Sequence, residues 1–99
     1  MNINLIQEEE KTVLALSGRL DTLTSQKLQE ALIPAFKTAN HVEIDFAQLV
    51  YVTSAGLRVL LMGEKTAKAQ GGRQTLVNVS PEIMEVFDMT GFSNILTIL

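Results

Sequence analysis

The chain contains no cysteine and one histidine, so a thiolate nucleophile and Cys-based zinc sites are excluded. Two residue types that could cooperate are Ser54 and His41, with Asp45 between them in sequence. A strand through Asp45 would hold Ser54 and His41 at opposite ends. At ~3.3 Å per strand residue their separation exceeds about 15 Å, too far for a nucleophile and its base. A Ser/His hydrolase is therefore not supported, and His41 reads as a polar residue at a strand edge; no catalytic residue and no enzyme are expected. Gly63, Glu64, Lys65 and Thr66 superficially resemble a phosphate-binding loop. That loop needs Lys directly after Gly and a second Gly five residues earlier, where Arg58 stands, so the match fails. Asp21 and Asp45 have no second acid or histidine at metal-ligand spacing and read as turn or capping residues. No metal or other cofactor is expected. Met84 and Met89 read as core or surface filler rather than a binding stripe.

One segment keeps chemical interest. Val52, Thr53, Ser54, Ala55, Gly56 and Leu57 join the end of an apolar run to the start of a helix-forming one. A helix N-terminus presents free N–H donors and a partial positive charge, and so accepts an anion readily. The plain alternative is that Thr53 or Ser54 simply caps the helix. Arg58 lies four residues beyond Ser54, on the same face if the helix begins there.

The elements that would position this segment can be read from periodicity. Asn2 to Ile6 and Thr12 to Ser17 are apolar-rich runs separated by Gln7, Glu8, Glu9, Glu10 and Lys11, the pattern of a hairpin with a charged turn. Leu28, Ala31, Leu32, Ala35 and Ala39 recur at one-faced helical spacing, which predicts a helix over about Thr24 to Thr38, capped by Thr24 or Ser25. Pro34 lies inside it and removes a donor, so a kink or an early end is expected. Val42, Ile44 and Phe46 alternate with Glu43 and Asp45 as in a half-buried strand, and Leu49 to Val52 continue the apolar run toward a turn.

A helix from Ser54 to Gln70 follows, stopped by Gly71 and Gly72. Its internal Gly56 and Gly63 each cost about 1 kcal/mol against alanine, for which close packing against a sheet would compensate. Arg73 to Val79 reads as a strand. Ser80, Pro81 and Glu82 form a helix start with a capping hydroxyl, a first-position proline and an acid at the positive end. Ile83, Val86 and Phe87 give that helix its apolar face, Gly91 ends it, and Phe92 to Leu99 offer a last short strand or docked tail. A hairpin followed by alternating helices and strands points to an α/β fold with a mixed sheet.

Size and charge narrow the functions. The 99 residues, 46% of them hydrophobic, suit one domain with one core. A formal charge of −3 supplies no basic field for nucleic acid. No segment approaches the ~20 apolar residues of a membrane span, and Met1 to Glu10 does not resemble an export signal. A soluble cytoplasmic protein that neither binds nucleic acid nor inserts in a membrane is the expectation.

The run from Asp45 through Thr53, Ser54, Ala55, Gly56 and Leu57 resembles the signature of bacterial STAS domains, the family of anti-sigma-factor antagonists. Four more segments resemble that family in the same order: Gly18, Arg19, Leu20, Asp21; Gly71, Gly72 before a strand; the strand-to-helix junction Leu76 to Ser80; and Phe87, Asp88, Met89, Thr90, Gly91, Phe92. Together they cover nearly the whole chain.

The resemblance implies a single STAS-type domain over residues 1–99, with a mixed four- to five-stranded sheet and about three to four helices. It also implies partner switching. The unmodified antagonist binds an anti-sigma factor that is also a serine protein kinase; phosphorylation releases it, and a serine phosphatase restores it. The family's phosphoacceptor falls on Ser54, with Thr53 as a rival. Asp21, Thr22, Thr53, Ser54, Ala55, Gly56 and Arg58 become the partner-binding positions. Two positions depart from the best-known members: Thr53 replaces Asp, and Ala55 replaces a second hydroxyl residue. The competing implication is a STAS subunit of a membrane lipid ABC transport complex that is never phosphorylated.

Overall fold

A computed structural model describes residues 1–99. Four strands, β1 (Asn2–Gln7), β2 (Thr12–Leu20), β3 (His41–Val52) and β4 (Arg73–Val77), form one sheet in the order β1-β2-β3-β4. β1 pairs antiparallel with β2, while β2 with β3 and β3 with β4 are parallel, so the sheet is mixed. Parallel neighbours need a crossover. Helices α1 (Ser25–Ala35) and α2 (Ser54–Ala69) provide the two crossovers, and α3 (Pro81–Thr90) and a short 3-10 turn (Phe92–Asn94) close the chain. The tail docks rather than forming a strand: Leu76 N–H donates to Thr97 O (2.9 Å) and Leu99 N–H to Leu76 O (2.9 Å).

The helices lie on one face. Val42, Ile44 and Phe46 of β3 and Leu14 and Leu16 of β2 point toward them and are buried. Phe87 of α3 meets Phe46 edge-on, ring centroids 6.1 Å apart. The opposite face mixes Val13 and Ile6 with polar groups, among them the Lys11–Glu43 ion pair (2.9 Å) and a His41–Thr75 hydrogen bond (2.8 Å). Twenty buried residues make one core, drawn from all three helices and β2 to β4 together with Phe36 after α1 and Leu96 of the tail. At ~25 cal/mol per Å² of apolar area, that burial is the main force holding the layers together.

Several boundaries differ from the sequence expectation, each for a local reason. α1 ends at Ala35, one residue past Pro34, and the chain continues in tighter bonds such as Phe36 N–H to Ile33 O. Thr24 stands at its N-cap but caps nothing. Its hydroxyl accepts from Asp21 N–H (2.8 Å) and donates to Arg19 O (2.7 Å) instead. β4 stops at Val77 rather than Val79, because Asn78 adopts a left-handed φ of 57° that ends extended pairing.

β3 spans 12 residues against nine in β2: His41 precedes the first pair, Thr12 with Val42, and two irregularities absorb the other two residues. Ala15 pairs with Asp45 and Ser17 with Gln48; Gly18 pairs with Leu49 and Arg19 with Tyr51. Each extra residue re-aims the strand. The buried positions after Phe46 are therefore Leu49 and Val52, at a spacing of three.

The α2 glycines pack as their cost implied. A Cβ on Gly56 would lie 2.6 Å from Leu20 Cγ, and one on Gly63 would collide with Gln74 Oε1. α3 begins as read: Ser80 Oγ accepts from Ile83 N–H (3.2 Å), Pro81 fills the first position, and Gly91 ends the helix at φ 81°.

Candidate functional site

β2 and β3 run parallel, so the loop leaving β2 and the junction leaving β3 emerge at the same end of the sheet. Thr53 N–H donates to Leu20 O (3.0 Å) and ties the two together. Thr53 is extended (φ −109°, ψ 175°), and α2 starts at the next residue; Leu57 N–H to Thr53 O (3.0 Å) is its first helical bond. The backbone therefore turns from strand to helix between two hydroxyl residues.

Those two hydroxyls are not equivalent. Thr53 Oγ1 is buried, makes no capping bond and has no hydrogen-bond partner in the chain. Ser54 is exposed on the first turn of α2. Arg58, one turn later, is also exposed and takes part in none of the chain's ion pairs. The exposed stripe Ser54–Arg58 thus combines an accessible hydroxyl, a free guanidinium and the positive end of a 16-residue helix. Ala55 is half-buried beside it. Gly56 is not a surface residue: it is buried against Leu20 and Val52, and supports the junction from beneath.

The neighbouring loop is shaped by Asp21. Its Oδ1 accepts from Leu23 N–H (3.0 Å) and Thr24 N–H (3.0 Å) and lies 3.1 Å from the Thr24 hydroxyl, whose one proton it shares with Arg19 O, and its Oδ2 lies 3.9 Å from Arg19 Nε. The bond from Thr24 N–H, helped by the Thr24 hydroxyl and Leu23 N–H, holds the Asp21 carboxyl below its usual value. Asp21 is therefore a turn former whose acceptor capacity is largely used. Thr22 and Leu23 stand exposed at the tip it holds.

An apolar rim, which the periodicity did not single out, adjoins this loop. Leu23, Val50 and Tyr51 are exposed, and the Arg19 guanidinium lies 4.2 Å from the Tyr51 ring centroid. The second irregularity in β3 turns Val50 and Tyr51 outward together, a signal already present in the Phe46, Leu49, Val52 spacing.

His41 lies at the far end. It begins β3, and its Nε2 bonds to Thr75 Oγ1. Asp45 Oδ1 accepts from Ala47 N–H (2.9 Å) and Asn78 Nδ2 (3.0 Å), bracing the first irregularity of β3. Neither residue is hydrogen-bonded to Ser54, and the Ser/His pairing fails in the fold as it did in the sequence.

The family model described as "Mlab, STAS domain" matches residues 3–98. The chain belongs to the STAS domain family. Among its STAS relatives, the anti-sigma-B factor antagonist of Bacillus subtilis is 30% identical over 98 residues, covering 99% of this chain and 90% of that protein. The fold is shared with the anti-sigma factor antagonist SpoIIAA in its unphosphorylated form (22% identity, TM-score 0.77, 99% and 87% of the two chains). It is shared equally with the phosphorylated form of SpoIIAA, a Bacillus cell fate determinant (23% identity, TM-score 0.77, 99% and 91% covered). Four mixed strands and three helices are thus the STAS arrangement.

Proposed function

We propose that this chain is an anti-sigma-factor antagonist whose docking to an anti-sigma factor is switched by phosphorylation of Ser54. The observation that carries this reading is the exposure of Ser54 on the first turn of α2 beside a buried Thr53 oxygen. The name of the Bacillus subtilis relative and the occurrence of SpoIIAA in both phosphorylation states support it. The partner is an anti-sigma factor that is also a serine kinase, a serine phosphatase reverses the modification, and the exchange takes place in the cytoplasm.

A phosphoserine brings about −1.5 to −2 charges and three acceptor oxygens. At the start of α2 that charge is favoured by about 0.3 to 2 kcal/mol, and Arg58 stands where it can add a charge-assisted bond. The domain therefore stays folded when modified. A partner surface shaped for a neutral hydroxyl meets a desolvated anion instead, a penalty of several kcal/mol, and each ~1.4 kcal/mol is tenfold in affinity. Leu23, Val50 and Tyr51 supply apolar docking area, and the Asp21–Thr24 loop sets the edge of the footprint.

Incubating the protein with ATP and an extract of the cells that express it, followed by intact mass and peptide mapping, should place one phosphate on Ser54. A pull-down should capture a protein with an ATP-binding kinase fold, and Ser54→Asp should lose it. Equal capture by wild type and Ser54→Asp, with Ser54 unmodified, overturns the switch and favours the transport-complex subunit. Arg58→Ala, made alone and in combination with Ser54→Asp, reports whether the guanidinium serves the partner or the phosphate; no change in either background removes it from the site.

A further inference from the structure

We propose that β1 is a self-complementary edge through which two copies of this chain pair into one eight-stranded sheet. The two edges of the sheet are treated differently. β4 is covered where the tail bonds to Leu76 from Thr97 and Leu99. β1 has nothing beyond it. Exposed edges are ordinarily blunted by charge, proline or a bulge. Asn2–Gln7 carries no charged residue and no proline, and its register with β2 is unbroken. Leu5 and Ile6 are 49% and 43% exposed, one on each face of the sheet.

The backbone fixes how a second copy would sit. Glu8 N–H donates to Lys11 O (2.8 Å), and antiparallel pairs alternate between bonded and unbonded. Asn2, Asn4 and Ile6 therefore turn their N–H and C=O groups toward β2, and Ile3, Leu5 and Gln7 turn theirs outward. A two-fold axis normal to the sheet at Leu5 sets Leu5 opposite Leu5 of the second copy, and Ile3 opposite its Gln7. Every outward donor and acceptor of the three residues then finds a partner, and the helices of both copies stay on one side.

Charge selects a second copy over an arbitrary strand. Lys27 of α1 lies over the start of β1, its Nζ bonded to Met1 O (3.0 Å), while Glu8 and Glu9 follow the end of β1. In this register Asn2 faces Glu8 of the second copy. Lys27 thus meets the acidic turn of the other chain, twice by symmetry. β2 separates this edge from β3 and from Ser54, so pairing and the switch are independent.

Sedimentation velocity on the full chain across a concentration series tests the pairing. Wild type should show a reversible dimer. Leu5→Pro deletes an outward N–H without touching a β1–β2 bond and should raise the dissociation constant at least about tenfold. Leu5→Lys should do the same if the proline variant folds poorly by circular dichroism. Lys27→Glu should weaken the dimer, and adding Glu8→Lys and Glu9→Lys should restore it. A wild type that stays monomeric throughout, or a folded Leu5 variant that pairs as well as wild type, overturns the proposal.

Discussion

Thr53 and Ser54 are chain neighbours whose hydroxyls point to opposite environments: Thr53 Oγ1 is buried without a partner, and Ser54 is exposed on the first turn of α2. The cause is the bond from Thr53 N–H to Leu20 O, which keeps Thr53 extended against β2 while the next residue begins a helix. Only the Ser54 side of the junction is open to solvent.

Thr53→Val should therefore stabilise the fold and, under the proposed switch, leave Ser54 open to modification. The hydroxyl makes no capping bond, so its loss costs no contact, and a buried unsatisfied polar group is removed. A gain of about 1 kcal/mol, or about 4–8 °C in Tm for a domain of this size, is expected from thermal unfolding. A lower Tm would mean that the oxygen is satisfied in solution.

Gly63→Ala should destabilise although alanine is the better helix former. The added Cβ collides with Gln74 Oε1 and comes 2.7 Å from Leu32 Cδ2, and Gln74 also donates to Leu60 O (3.0 Å) from a fully buried position. Overpacking of about 1–3 kcal/mol outweighs the ~1 kcal/mol gained in helix propensity. Gln74→Ala opens the space, so the double variant measured in urea should lose less than the sum of the single losses.

Much of this architecture was legible because local signals agreed. Ser80, Pro81 and Gly91 marked α3 at both ends, and the costly Gly56 and Gly63 marked where α2 touches the sheet. β3 was legible only to Phe46, because two-residue periodicity fails at the irregularities that turn Val50 and Tyr51 outward. Asn78 broke the apolar run of β4 through backbone conformation, which side-chain pattern does not display. At the site, residue types led to Ser54 through the resemblance and the helix start. Pattern alone could not tell Thr53 from Ser54, since that depends on a long-range bond to β2. Gly56 was likewise assigned to a surface from which packing removes it.

Asp21→Ala should loosen the loop beside the site more than it harms the fold. Two N–H donors and the shared Thr24 hydroxyl lose their common acceptor, and Thr22 and Leu23 lose the turn that presents them. Faster amide exchange confined to Leu23 and Thr24 is the expected readout, with partner affinity falling about threefold to tenfold. Acid should act similarly. Asp21 has its carboxyl pKa lowered from 3.8 by these bonds, so its contribution is complete above that value and is lost as pH falls through the lower folded value. A loop that is unchanged in Asp21→Ala would show that Thr24 alone holds it.

His41 should make the domain less stable in mild acid. Burial beside Thr75, with Arg73 and Lys11 nearby, lowers its pKa from 6.5, and Glu43 opposes them only in part. The folded state thus holds the neutral imidazole while the unfolded chain takes up a proton first. Stability from this group is complete above about 6.5 and is lost as pH falls through the folded value. His41→Gln keeps a polar partner for Thr75 but cannot titrate, so its urea midpoint should change less between pH 7 and pH 5 than that of wild type, at about 1 kcal/mol lower baseline stability. Parallel pH profiles for the two proteins would place the acid sensitivity elsewhere.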